Sequence, residues 1–135
     1  MMLVKCWVGP SAIHGLGLIA KEFIPNGTVV WKLVPGFDVV LSEDEFQELP
    51  QAAKDNVLYY GWFDTRINKF IVSLDDDRFT NHSDTPNIRF CGDFAVTLCD
   101  IHPGEEMTDN YTELGLTLFK GDAAIAPQLM SKDNA

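Results

Sequence analysis

Arg78-Phe79-Thr80-Asn81-His82-Ser83-Asp84-Thr85-Pro86-Asn87 concentrates Asn, His, Ser, Asp, Thr and Pro in one short stretch just after an apolar run. Such side chains bond their own backbone and interrupt regular structure, so the stretch predicts a fixed loop. Taken alone, its Asn-His pair is no more than a capped turn. It gains meaning beside Gly15-Leu16-Gly17 upstream and Gly104-Glu105-Glu106-Met107-Thr108-Asp109-Asn110-Tyr111 downstream.

Outward from this loop the pattern is one of short strands. Leu3 to Val8 alternates, with Val4, Cys6 and Val8 on one face, and Gly9-Pro10-Ser11 is expected to end that strand. Ile13 to Ala20 follows as a strand entered through two spaced glycines. Thr28–Val34 and Phe37–Leu41 read as strands broken at Pro35-Gly36. Ser42-Glu43-Asp44-Glu45 is a capping box opening a short helix that Pro50 stops, and Gln51 to Val57 predicts a second helical turn. Tyr59–Phe63 and Lys69–Leu74 return to strand character, and Asp75-Asp76-Asp77 predicts a solvated turn. Ile88–Phe90 and Phe94–Leu98 form a hairpin across Gly92-Asp93, and Met107–Tyr111 is the last strand-like piece. Ile101-His102-Pro103-Gly104 reuses the turn chemistry of Ile24-Pro25-Asn26-Gly27. From Gly121 on, a loose tail is expected. The class is mainly β.

At 135 residues the chain is one domain with room for a real core. No apolar run approaches a membrane span and no secretory layout opens the chain, so a soluble, intracellular protein is expected. It would be cytoplasmic in a bacterium, with the nucleus an alternative in a eukaryote. The formal charge of −10 argues against direct nucleic-acid binding and is compatible with a basic protein partner. Cys6, Cys91 and Cys99 form no C-x-x-C pair, so neither zinc nor a disulfide framework is expected, and the thiols read as small buried hydrophobes.

Three motifs in order resemble the SET domain of protein-lysine methyltransferases. His14-Gly15-Leu16-Gly17 is similar to that family's opening glycine motif. Arg78-Phe79-Thr80-Asn81-His82-Ser83 with Pro86-Asn87 is similar to its Arg-Phe-x-Asn-His-Ser-x-x-Pro-Asn signature. Gly104-Glu105-Glu106-Met107-Thr108, closed by Tyr111, is similar to its terminal motif. The resemblance implies a SET-domain fold of small curved β-sheets, of the β-clip type, with a pseudoknot and short helices. Residues 1–118 would form the domain and 119–135 a tail. It also implies S-adenosyl-L-methionine (S-adenosylmethionine) as cofactor on one face and a lysine-containing protein segment, histone-like or ribosomal, entering from the other.

Residue by residue, the resemblance implies cofactor contacts from His14, Gly15, Leu16, Asn81 and His82, and a catalytic role for Tyr111, whose hydroxyl would orient the amine. Tyr59 is either a cofactor-binding tyrosine or a core aromatic, and Arg78 either ties down its loop or meets the cofactor carboxylate. The chemistry asks for a neutral amine. A lysine of pKa about 10.4 is well under a thousandth neutral at pH 7, so the channel must desolvate it beside a positive charge. No strong general base is then needed, and alignment supplies most of the acceleration.

The chain also departs from the family. Asp109 stands two residues before Tyr111, where the family usually has an aromatic that influences how many methyls are added. Within these 135 residues there is no cysteine-rich, zinc-binding segment beside the domain, so completing the channel is expected to fall to the tail, through Phe119 or Leu118, or to a second subunit in a homodimer. Phe119 equally reads as plain packing. Two functions are carried forward: a methyltransferase, and a SET-fold protein-binding module that has lost catalysis.

Overall fold

The computed structural model describes residues 1–112 and 116–118. Among them, strands β1 (Cys6–Pro10), β2 (Leu16–Ala20), β3 (Val29–Lys32) and β4 (Val39–Ser42) lead into helices α1 (Glu43–Gln47) and α2 (Gln51–Tyr60). Then follow β5 (Trp62–Asp64), β6 (Lys69–Val72), a 3₁₀ turn (Asp76–Phe79), β7 (Asn81–His82), β8 (Ile88–Phe90), β9 (Phe94–Thr97), β10 (Glu106–Asp109) and β11 (Leu116–Leu118). The strands form three small sheets ordered β1-β2-β10-β7, β11-β5-β6-β4 and β3-β9-β8. Mainly β with short helices, this is the class the sequence predicts.

Local chemistry explains most elements. The Ser42 hydroxyl accepts the Glu45 N–H at 3.1 Å while the Ser42 N–H donates to Glu45 Oε1 at 3.0 Å, a complete capping box. The two similar turns meet, because Ile24 and Ile101 exchange N–H···O bonds of 2.8 Å in both directions. Leu18, Val30, Trp31, Trp62, Ile71, Ile101 and Met107 form the main core, and Phe46, Val57, Leu58, Phe63 and Phe70 form a second one beneath the helices. No helix among the described residues is long and apolar enough to cross a membrane.

Several expectations need correction. β1 runs through Gly9-Pro10 instead of ending there, since Gly9 and Pro10 pair with Gly17 and Leu16. α2 continues past Val57 to Tyr60, so Tyr59 is helical and not part of a strand. Burial of Val57 and Leu58 against Phe63 and Phe70 outweighs the strand propensity of the two tyrosines. The Asp75-Asp76-Asp77 turn is structural: Asp75 caps the 3₁₀ turn and accepts the Met2 N–H at 2.7 Å, and Asp77 accepts the Ser73 hydroxyl at 2.7 Å. The Arg78–Asn87 stretch is not all loop, because it holds the end of that turn and β7. Cys99 is exposed, and Cys6 and Cys91 are only partly buried. Phe119, the Leu118 side chain and the tail lie outside the described residues.

β10 is the strand on which the chain closes. It pairs antiparallel with β2 (Glu106 with Ile19, Met107 with Leu18) and parallel with β7 (Thr108 with Asn81, Asp109 with His82). Asn87 completes it, donating from Nδ2 to the Glu106 carbonyl and accepting the Thr108 N–H at Oδ1, each at 2.8 Å. One side chain thus stands in for a missing strand partner.

Replacing Asn87 by Ala leaves two β10 backbone groups without partners and should cost about 1–3 kcal/mol, read as a lower denaturant midpoint at unchanged slope. Asn87→Asp, which keeps the acceptor and loses the donor, should recover only part of that stability.

Candidate functional site

The loop between β1 and β2 folds back on itself, its Ser11 N–H donating to the Gly15 carbonyl at 2.9 Å. The Ser11 hydroxyl oxygen accepts the N–H groups of Ile13 (2.9 Å) and His14 (3.1 Å). Gly15 turns the chain at φ +49°, a region that favours glycine. From β7, the buried Asn81 amide reaches across to this loop, with Nδ2 3.1 Å from the His14 carbonyl and 3.0 Å from the Leu16 carbonyl. An open cleft of about 550 Å³, counting solvent at its mouth, lies against this wall. Its lining is His14, Gly15, Leu16, Tyr59, Tyr60, Arg78, Phe79 and Asn81.

A second cleft, of about 640 Å³ when solvent at its mouth is counted, is apolar and ring-rich, lined by Trp31, Tyr60, Trp62, Phe90 and Tyr111 together with Asp77 and Asp109. Tyr60 and Arg78 line both clefts and so form their shared wall. The Arg78 guanidinium lies over the rings of Tyr60 (5.4 Å) and Phe79 (5.2 Å), and its buried Nε has no hydrogen-bond acceptor among the described residues.

Tyr111 is buried, and its hydroxyl donates to the Thr80 carbonyl at 2.5 Å. Burial, with the carboxylates of Asp109, Asp77 and Glu106 nearby, pushes its phenol far above the usual tyrosine range. Its backbone N–H donates to His82 Nδ1 at 3.1 Å, which leaves the His82 proton on Nε2, 2.9 Å from Asp84.

The structure therefore brings His14, Gly15, Leu16, Tyr59, Arg78 and Asn81 to one cleft, and Tyr111 and Asp109 to the other. His82 lies beside them rather than in the first cleft's lining, where it steadies Tyr111. Sequence reasoning passed over Tyr60, hidden by the assignment of Tyr59–Phe63 to a strand. It also passed over Ser11, whose place after Gly-Pro was a usable turn-capping signal. Among the described residues no group of His, Cys, Asp or Glu could hold a metal ion.

The SET-domain family model matches residues 15–112, well over half the chain. The chain belongs to the SET-domain family. No curated protein matches it by sequence. This SET-domain chain is similar in fold to a Plasmodium falciparum protein described as a candidate histone methyltransferase (TM-score 0.62, 19% identity, covering 84% of this chain and 98% of that one). It is also similar to part of the Chaetomium thermophilum Polycomb Repressive Complex 2, in a humanized mutant bound to the inhibitor GSK126 (TM-score 0.59, 20% identity). A ligand-free form of that complex carrying mutations in Ezh2 gives a TM-score of 0.63 at 23% identity. The match to the Polycomb chains covers 82% of this chain and only 15% of theirs.

The raised Tyr111 pKa has a definite sign. An unfolded chain ionises tyrosine near about pH 10 while the folded one holds Tyr111 as a phenol, so its contribution to stability is intact below about pH 10 and is lost as pH climbs beyond it. Absorbance titration of native protein should show no Tyr111 phenolate before alkaline unfolding. Tyr111→Phe should therefore leave the native phenolate signal unchanged.

Proposed function

We propose that this SET-domain protein transfers a methyl group from S-adenosylmethionine to the ε-amine of a lysine in a basic protein segment. The observation that carries this reading is the meeting of two clefts at Tyr60 and Arg78, one the more polar and walled by the Gly15 loop and Asn81, the other ringed by aromatic side chains and holding Tyr111. The donor set of the first cleft fits the cofactor. The buried Arg78 Nε without an acceptor suits a carboxylate, the Gly15 backbone is free of any Cβ, and exposed Tyr59 offers a ring face to a base. When bound, the cofactor supplies the methyl group and a sulfonium positive charge.

The chain's own residues do the rest. His14, Gly15, Leu16, Tyr59, Arg78 and Asn81 would hold the cofactor. Trp31, Tyr60, Trp62 and Phe90 exclude water from the second cleft and disfavour a charged amine there. Asp77 and Asp109 act the other way and draw a cationic side chain in, which agrees with the acidity of the whole chain. Tyr111, kept as a phenol with its proton directed at Thr80, is an orienting acceptor for an amine N–H and not a base. The placement of β10 between β2 and β7, flanked by Asn87, is what we read as the family's pseudoknot.

The second reading, a non-catalytic protein-binding module, draws support from the same Tyr111 hydroxyl, which already has a partner in Thr80. Calorimetric titration separates the two. S-adenosylhomocysteine should bind well below about millimolar, and its failure to bind at that concentration sinks the methyltransferase reading. Given binding, Tyr111→Phe should lower turnover on lysine-rich protein by about a hundredfold or more while cofactor affinity stays close to wild type. Loss of affinity instead would make Tyr111 a structural residue.

A further inference from the structure

We propose that Glu106 is a positioning residue that builds the wall of the open cleft from behind, acting through Ser11 and Asn81. The proposal deepens the methyltransferase reading and rests on it. Neither Glu106 nor Ser11 lines the cleft, so any effect they have on a ligand must pass through the residues that do.

Both Glu106 carboxylate oxygens are engaged, each by a different segment. Oε1 accepts the Ser11 hydroxyl at 2.7 Å, and Oε2 accepts the Asn81 amide at 3.0 Å. The Ser11 oxygen is already the acceptor for two backbone N–H groups, those of Ile13 and His14, so its own proton needs an acceptor, and Glu106 provides it. The two Asn81 Nδ2 hydrogens are shared among Glu106, the Ser11 hydroxyl oxygen at 3.1 Å and the carbonyls of His14 and Leu16, on either side of Gly15. One carboxylate therefore fixes the 11–16 loop by two routes, one through its N–H groups and one through its carbonyls.

Gly17 gives a separate indication. A Cβ built there would lie 2.6 Å from Glu106 Oε2 and 3.1 Å from the Ser11 Cβ. A side chain there would push the carboxylate off the position from which it holds Ser11 and Asn81. The second glycine of the Gly-x-Gly pair thus serves Glu106, while the first serves the turn.

Without Glu106 the Ser11 proton and one Asn81 contact lose their charged acceptor, and the loop samples other shapes. Ordering it then falls on the ligand, which weakens binding without altering the chemistry that follows. Glu106→Ala should raise the dissociation constant for S-adenosylhomocysteine about tenfold or more. Its KM for cofactor should rise in step, with kcat at saturating cofactor and the KM for a lysine peptide within about threefold of wild type. Glu106→Gln, which keeps one acceptor oxygen, should fall between. Ser11→Ala should weaken binding less, and the Ser11→Ala/Glu106→Ala pair should be non-additive because they share one route. Should Glu106→Ala not fold, Glu106→Gln and Ser11→Ala carry the test.

Amide hydrogen exchange of the ligand-free protein gives the second readout. Glu106→Ala should speed exchange at Ile13 and His14 and leave Ile71 in the core unchanged. Unchanged exchange at Ile13 and His14, or unchanged affinity in the variants, overturns the proposal. So does a parallel loss in kcat and both KM values with a uniform drop in protection, which is the mark of a merely structural residue. Wild-type protein that binds no S-adenosylhomocysteine would instead overturn the methyltransferase reading, an outcome visible before any variant is made.

Discussion

The backbone of β10 has polar groups on both edges that must find partners once the strand is buried, and no single neighbour meets that demand. Three remote segments do so together: β2 and β7 pair with successive residues along it, and the Asn87 side chain takes the Glu106 carbonyl and the Thr108 N–H. Burial makes the arrangement obligatory. Met107 is fully enclosed in the main core, so the strand cannot drift without dragging the core with it.

This constraint also sets the geometry of the two clefts. Glu106, at the start of β10, reaches the loop that walls the open cleft, and Tyr111, just past its end, lines the aromatic one. His82, on the parallel neighbour, accepts the Tyr111 N–H and so ties the two strands beyond their last ladder pair. The site's two halves are thereby referred to one rigid element, which is where a few tenths of an ångström in alignment can be held. Around Tyr111 the local field is negative, and burial acts in the same direction, so its proton stays in place across the working pH range.

Much of this was legible in the sequence where a short motif specifies a local interaction. The Ser42–Glu45 capping box and the Gly92-Asp93 hairpin needed only neighbours to form. The glycine and Asn-His segments pointed to one cleft because their spacing belongs to a family pattern. Tyr59 and Tyr60 were misplaced for the opposite reason: their own propensity favours a strand, while the packing of Val57 and Leu58 against Phe46, Phe63 and Phe70 holds that segment as a helix. Asn87 as a strand surrogate and Glu106 as the anchor of Ser11 were invisible, since each acts on a partner brought close only by the finished topology. Asp109 was noticed as a departure, but the sequence could not show that Asp77 would share its cleft.

The Ser11–Glu106 contact joins residues 95 positions apart. Closing so long a loop costs chain entropy that no contact between sequence neighbours can offset. Both clefts depend on it or on the strand that carries it. A partly folded chain therefore has neither, and both clefts take shape together with the completion of the fold.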